Sequence, residues 1–138
     1  MTPKPAEWRA ELPPTLESID LFCAGFHAWR VISCANVEAF SVELILREAL
    51  TNSVLHASEN HTESESAGRL ILCVLRAAPG RLLIAIRDRG HGFDWRSAWN
   101  HHADPLDTSG RGIEILRHYA DFVRFNAAGN GVTMIKRF

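Results

Sequence analysis

At 138 residues, with 46% hydrophobic and 22% charged side chains, the sequence has the size and composition of one folded domain spanning residues 1–138, not of a disordered chain. A formal net charge of −1 supplies no bulk attraction for nucleic acid or an anionic membrane, so neither is expected as a partner. The apolar runs are too short to span a bilayer.

The chain starts without the apolar core of a signal peptide. A cytoplasmic location follows as an expectation, and Asn60-His61-Thr62 is then a chance sequon. Trp8, Ala10 and Leu12 alternate with Glu7, Arg9 and Glu11, predicting a half-buried strand stopped by Pro13-Pro14. Ile19, Phe22, Cys23, Phe26 and Trp29 recur at helical spacing, predicting a helix from about Thr15 to Ser33. Asn36 is placed as the N-cap of a second helix ending near Ala57. Ser58 to Ala67 is polar and reads as a solvated loop. Arg69 to Ala77 and Arg81 to Asp88 flank Pro79-Gly80 and read as a hairpin. Periodicity is lost from Arg89 to Ser109, a length that marks a functional or mobile loop. Ile113, Leu116 and Tyr119 mark a short third helix. Phe122 to Ala127 and Gly131 to Phe138 form a second hairpin. Paired strands and few helices predict an α+β two-layer sandwich, its sheet mostly antiparallel with helices on one face. Cys23, Cys34 and Cys73 are an odd set without a CxxC spacing, read as reduced, buried thiols.

Three stretches carry chemistry. Helical side chains rotate by about 100° per residue, so Glu48 and Asn52 lie one turn apart. Leu44 and Leu55 flank them on one side, Ile45 and Ala49 on the other, away from a solvent sector of Glu43, Arg47 and Thr51. Burying a carboxylate and an amide there costs on the order of several kcal/mol unless a ligand, metal or polar network offsets it. A surface helix with Glu48 solvated is the other reading. Asp88-Arg89-Gly90-His91-Gly92 ends a strand. Asp88 shares a face with Leu82, Ile84 and Ile86, pointing a carboxylate acceptor between sheet and helices, while Gly90 and Gly92 let backbone approach a ligand. By itself this stretch also fits an ordinary turn. Ser109-Gly110-Arg111-Gly112 opens the third helix, where free N–H groups and Arg111 suit an anion, although an ordinary capped helix start would look the same.

In order, Glu48-Ala49-Leu50-Thr51-Asn52-Ser53-Val54-Leu55-His56-Ala57, then Asp88-x-Gly90-x-Gly92, Gly110-Arg111-Gly112 and Gly131-Val132-Thr133-Met134-Ile135-Lys136 resemble the N box, the two glycine boxes and the terminal strand of GHKL-superfamily ATPases, which have the Bergerat ATP-binding fold. The spelling E-A-x-x-N-x-x-x-H-A with Gly-Arg-Gly resembles the anti-sigma-factor serine-protein kinase branch. The resemblance runs from the first strand to the last residue. It implies ATP and Mg²⁺ as cofactors. Glu48 would be the general base and Asn52 the metal ligand. Asp88 would bind the adenine amine with Thr133 nearby, and Gly90 and Gly92 would shape the pocket. Gly110, Arg111 and Gly112 would sit at the phosphates under a lid of Phe93 to Ser109.

The implied activity is an ATP-dependent protein serine/threonine kinase. Its implied partners are a sigma factor and a STAS-type anti-sigma antagonist. Two other readings share the pocket: an ATP-gated binding module without catalysis, and the catalytic domain of a sensor histidine kinase. Glu48 favours the kinase over the first. The second lacks room for upstream dimerisation helices within this sequence. His56 is assigned a structural role, and His91, His101 and His102 have no ligand spacing. Leu70 to Leu75 is apolar on both alternating faces. Either a second copy of the chain, as homodimers in the resembled family imply, or the first strand's neighbours or the loop Ser58 to Ala67 would cover the second face.

Overall fold

The computed structural model describes residues 6–58, 69–92, 94–100 and 111–138. Five strands form one sheet: β1 (Ala6–Leu12), β2 (Ile71–Ala78), β3 (Arg81–Arg87), β4 (Phe122–Phe125) and β5 (Gly131–Arg137). Their order is β1-β2-β3-β5-β4, and every neighbouring pair is antiparallel. Among the described residues the helices are α1 (Leu16–Ser33), α2 (Ala39–Ser58), α3 (Trp95–Asn100) and α4 (Arg111–Tyr119). The α+β two-layer sandwich expected from the pattern is the fold observed.

Strand alternation decides which side is the core. Ile71, Cys73, Leu75 and Ala77 of β2 are buried, as are Leu82, Ile84 and Ile86 of β3 and Val132 and Met134 of β5. They face Ile19, Phe22, Cys23 and Phe26 of α1, Val42, Ile45, Leu46 and Leu50 of α2, and Ile113 and Leu116 of α4. Trp8 stacks on Phe22 with ring centroids 4.8 Å apart, fastening β1 to α1. Thr15 caps α1 by accepting from the Ser18 N–H at 3.2 Å. Helix α2 starts at Ala39, so Asn36 lies in the preceding turn and is not its N-cap. The sheet's other face is bare of helices among the described residues. The strand β1 lies beside β2 within the sheet and covers none of that face.

One expected loop holds a helix. Within Phe93 to Ser109, Asp94 accepts from the Ser97 N–H at 3.2 Å and from its hydroxyl at 2.7 Å, starting α3. Trp95 and Trp99, one turn apart, then dock it: Trp95 stacks on Phe125, and Trp99 lies under the Arg117 guanidinium of α4. The Asp94-x-x-Ser97 start and the four-residue tryptophan spacing are the signals that pattern reading missed. Residues 101–110, the rest of that segment, lie outside the described residues, as do residues 59–68, where most of the solvated loop expected from Ser58 to Ala67 falls. No helix among the described residues is long and apolar enough to cross a membrane.

All three cysteines are free and buried, as expected. Burial pushes the Cys23 thiol up to about 11 against the nearby Arg47 charge, and raises Cys34 and Cys73 as well. The native domain should therefore resist iodoacetamide at pH 8, and all three thiols should label in denaturant. Intact-mass spectrometry reads the difference, and rapid labelling of the native chain would contradict this burial.

Candidate functional site

The site forms where α2, the end of β3, the β4–β5 turn and the start of α4 converge. Residues of α2 at positions 42, 45, 46, 49, 50, 53 and 54 are buried, while Glu48 and Asn52 are half-buried at the rim of that stripe. The flank expected at Leu55 is absent, because Leu55 is 56% exposed. The stripe continues instead through Ser53, which turns under Asn52 toward the sheet.

Glycine at 112 allows α4 to close on this rim. A Cβ there would stand 3.0 Å from the Glu48 Oε2 and 3.6 Å from the Asn52 amide atoms. Even an alanine there would press on the Glu48 carboxylate, while its contact with Asn52 would be an ordinary one. The α4 N-terminus carries the positive end of the helix dipole.

Asp88 is 4% exposed at the end of β3, on the helix-facing side. Its Oδ1 accepts from the Gly90 N–H at 2.7 Å, and the Ser53 side chain bonds it too. Burial raises its pKa, and those two bonds and the nearby His56 oppose the rise. A buried carboxylate with these two short-range partners among the described residues retains lone pairs for a ligand.

The β4–β5 turn holds the Asp88 loop in place. Asn130 accepts from the Asp88 N–H at 2.9 Å through its carbonyl, and its amide donates to the Gly90 carbonyl at 3.1 Å. Asn126 steadies the turn, its Oδ1 accepting from the N–H groups of Gly129, Asn130 and Gly131 at 2.8, 3.0 and 3.2 Å. Sequence reading passed over Ser53, Asn126 and Asn130. Their only trace is two asparagines in a hairpin turn and a serine beside Asn52. Together these elements form a narrow cleft lined by Asn52, Ser53, His56, Asp88, Leu116, Phe125 and the turn.

The family model of the histidine kinase-like ATPase domain matches residues 12–136, nearly the whole chain. The chain belongs to this family. No curated protein matches it. The cleft is therefore the place to look for ATP in this ATPase domain, and of the residues expected at the nucleotide Asn52 and Asp88 line it. Glu48 and Gly112 meet beside Asn52. Asp88 and Gly90 stand on its sheet side, and Gly92 packs against the turn.

Thr133 does not join them. It pairs with Ala85 across β3 and β5, and both point to the open face of the sheet, while Val132 lines the cleft. The expectation that Thr133 lies near Asp88 is thus corrected by strand parity: Asp88 and Val132 face the helices, and Thr133 faces away. Gly110 lies outside the described residues. Arg111 is the first residue of α4.

Gly92 has φ +81°, and a Cβ on it would stand 1.8 Å from the Ala128 carbonyl oxygen. Gly92→Ala should cost at least about 2 kcal/mol, from the left-handed backbone and the displaced turn. ATP affinity should fall in parallel, because the same turn holds Asp88. Urea denaturation and ATP titration check the two effects. A mutant unchanged in both would mean the loop has room that this geometry denies.

Proposed function

We propose that this ATPase domain is an ATP-dependent protein serine/threonine kinase of the anti-sigma-factor type. In this reading it binds a sigma factor and phosphorylates a STAS-type anti-sigma antagonist. The observation that carries the proposal is Glu48 packed against Gly112 beside Asn52, a proton acceptor set where a helix N-terminus meets the cleft. A domain that only bound nucleotide would have no use for that base.

Each residue has a task. Asp88 accepts from the adenine amine on the sheet side. The α4 N-terminus faces the phosphates. Glu48 takes the proton from an attacking hydroxyl, and positioning with electrostatic stabilisation supplies the remaining rate. Asn52 offers a hard amide oxygen for Mg²⁺. Among the described residues no group of three His, Cys, Asp or Glu side chains could hold a metal unaided. Mg²⁺ suits such a sparse site, because it takes one or two protein oxygens and completes its shell with phosphate and water. Bound there, it would neutralise phosphate charge. The choice of a sigma factor and a STAS-type protein is supported by the E-A-x-x-N-x-x-x-H-A spelling with Gly-Arg-Gly.

Incubation with γ-labelled ATP, Mg²⁺ and candidate STAS-domain proteins tests the proposal. Label on a serine or threonine of one of them is the expected result. ATP binding without transfer to any protein would instead identify an ATP-gated binding module.

A further inference from the structure

The open face of the sheet carries more than a bare antiparallel sheet needs. Such a face, left to water, should be polar. Here Leu72 and Val74 of β2, Leu83 and Ala85 of β3 and Ile135 of β5 make an apolar floor, each half-buried.

Pairing across the strands aligns Arg9, Val74, Ala85, Thr133 and Arg124 in one row. Four strand spacings put the two arginines about 19 Å apart. Between them the small side chains of Ala85, Thr133 and Gly131 leave a depression with about 1230 Å³ of empty space. Arg87 joins Arg9 and Arg124 around it, and no carboxylate among the described residues lines it.

The charge is concentrated on this side. Six arginines (9, 76, 81, 87, 124 and 137) and two glutamates (7 and 11) point to the open face, on a chain whose formal net charge is −1. Glu7 is taken mainly by Arg76, at 2.7 and 3.2 Å, and its other oxygen stands 3.8 Å from Arg9 at the surface. Among the described residues no carboxylate reaches Arg87 or Arg124.

We infer that this face is a docking site for an acidic amphipathic helix of a partner protein. A helix of about 10–12 Å diameter fits lengthwise between the two arginine rims. Its apolar side would cover the floor, converting two layers into three. Carboxylates on its flanks would meet Arg9 of β1 on one side and Arg124 of β4 on the other, with Arg87 of the central strand β3 at one end of the floor. A second copy of this chain fits less well. Stacked two-fold over the depression, it brings Arg9 onto Arg124, or each arginine onto its own equivalent. The inference does not depend on nucleotide chemistry, since the floor lies on the opposite side of the sheet from the cleft.

The test uses the full chain and a labelled synthetic helix of about 18 residues, long enough to be helical, with leucine and alanine on one side and glutamate on both flanks. Fluorescence anisotropy should show saturable binding that weakens as salt is raised. The same peptide with lysine flanks, or with its sequence scrambled, should not bind. Arg9→Glu with Arg124→Glu should lower affinity about tenfold or more. Ala85→Phe, which fills the depression without changing charge, should also weaken binding. ATP titration of each variant should match wild type, which separates loss of docking from loss of fold or of the nucleotide site. Equal binding of the lysine-flanked or scrambled peptide would overturn the inference, as would unchanged affinity in the double variant. It would also fall if anionic phosphatidylglycerol vesicles bound this face and the glutamate peptide did not, or if light scattering showed a dimer that the peptide could not disrupt.

Discussion

Asp88→Asn is expected to abolish measurable ATP binding in a domain that remains folded. Oδ1 of the asparagine can still accept from the Gly90 N–H, but the second oxygen becomes an NH₂ group. That group meets the adenine amine donor to donor, in a place already 4% exposed. Losing a charge-assisted bond and leaving a donor unmatched together cost about 3 kcal/mol or more, over a hundredfold in affinity. Stability should move the other way. Burial raises the Asp88 pKa above its ordinary 3.8, so the folded domain holds that proton more tightly than the unfolded chain does. The ionised carboxylate therefore weakens the empty domain at neutral pH. The Asp88 contribution to unfolding free energy should rise as pH falls through the raised value toward 3.8, and vanish in the mutant. Isothermal titration and denaturation from pH 7 to pH 4 check both halves. Wild-type ATP affinity in a folded mutant would remove Asp88 from the nucleotide site.

Glu48→Gln is expected to leave ATP binding within about threefold and to cut phosphoryl transfer by roughly 10²–10⁴. The amide preserves the shape of the side chain, so the close approach of Gly112 survives. What is lost is the ability to take a proton at neutral pH. Single-turnover transfer with saturating ATP separates this from weakened binding, because only the chemical step should slow. Transfer at near the wild-type rate would end the general-base assignment and leave Glu48 as a spacer against α4.

Much of this was legible because period and burial agree. Trp8, Ala10 and Leu12 alternate as a strand, and Ile19, Phe22, Cys23 and Phe26 recur as a helix. Both patterns report the single core that the sheet and helices share. Asp88 could be placed by parity with Leu82, Ile84 and Ile86, and it is buried there. The same parity would have turned Thr133 away from the cleft, had its strand been registered against Ala85 rather than matched by motif. Helix α3 escaped because six residues hold too few turns for a period to show. Its evidence is a capping pair and two tryptophans, which mean little until Phe125 and Arg117 are known to be neighbours. Asn126 and Asn130 escaped for a related reason. Turn residues announce a turn, and only the folded chain reveals that this turn carries the Asp88 loop. Leu55 misled because a helical wheel cannot say where the apolar sector ends when the neighbouring element is a glycine-opened helix.

The pairing of β3 with β5, from Arg81 against Arg137 to Arg87 against Gly131, clamps both ends of a long excursion of the chain. Everything between Asp88 and Asn130 is, in polymer terms, a closed loop whose ends the sheet holds fixed. The entropy of closing such a loop grows only with the logarithm of its length, about 0.6 kcal/mol for each doubling. Length added to that excursion is therefore thermodynamically inexpensive, while the registry that aligns Asp88 with the β4–β5 turn stays as it is.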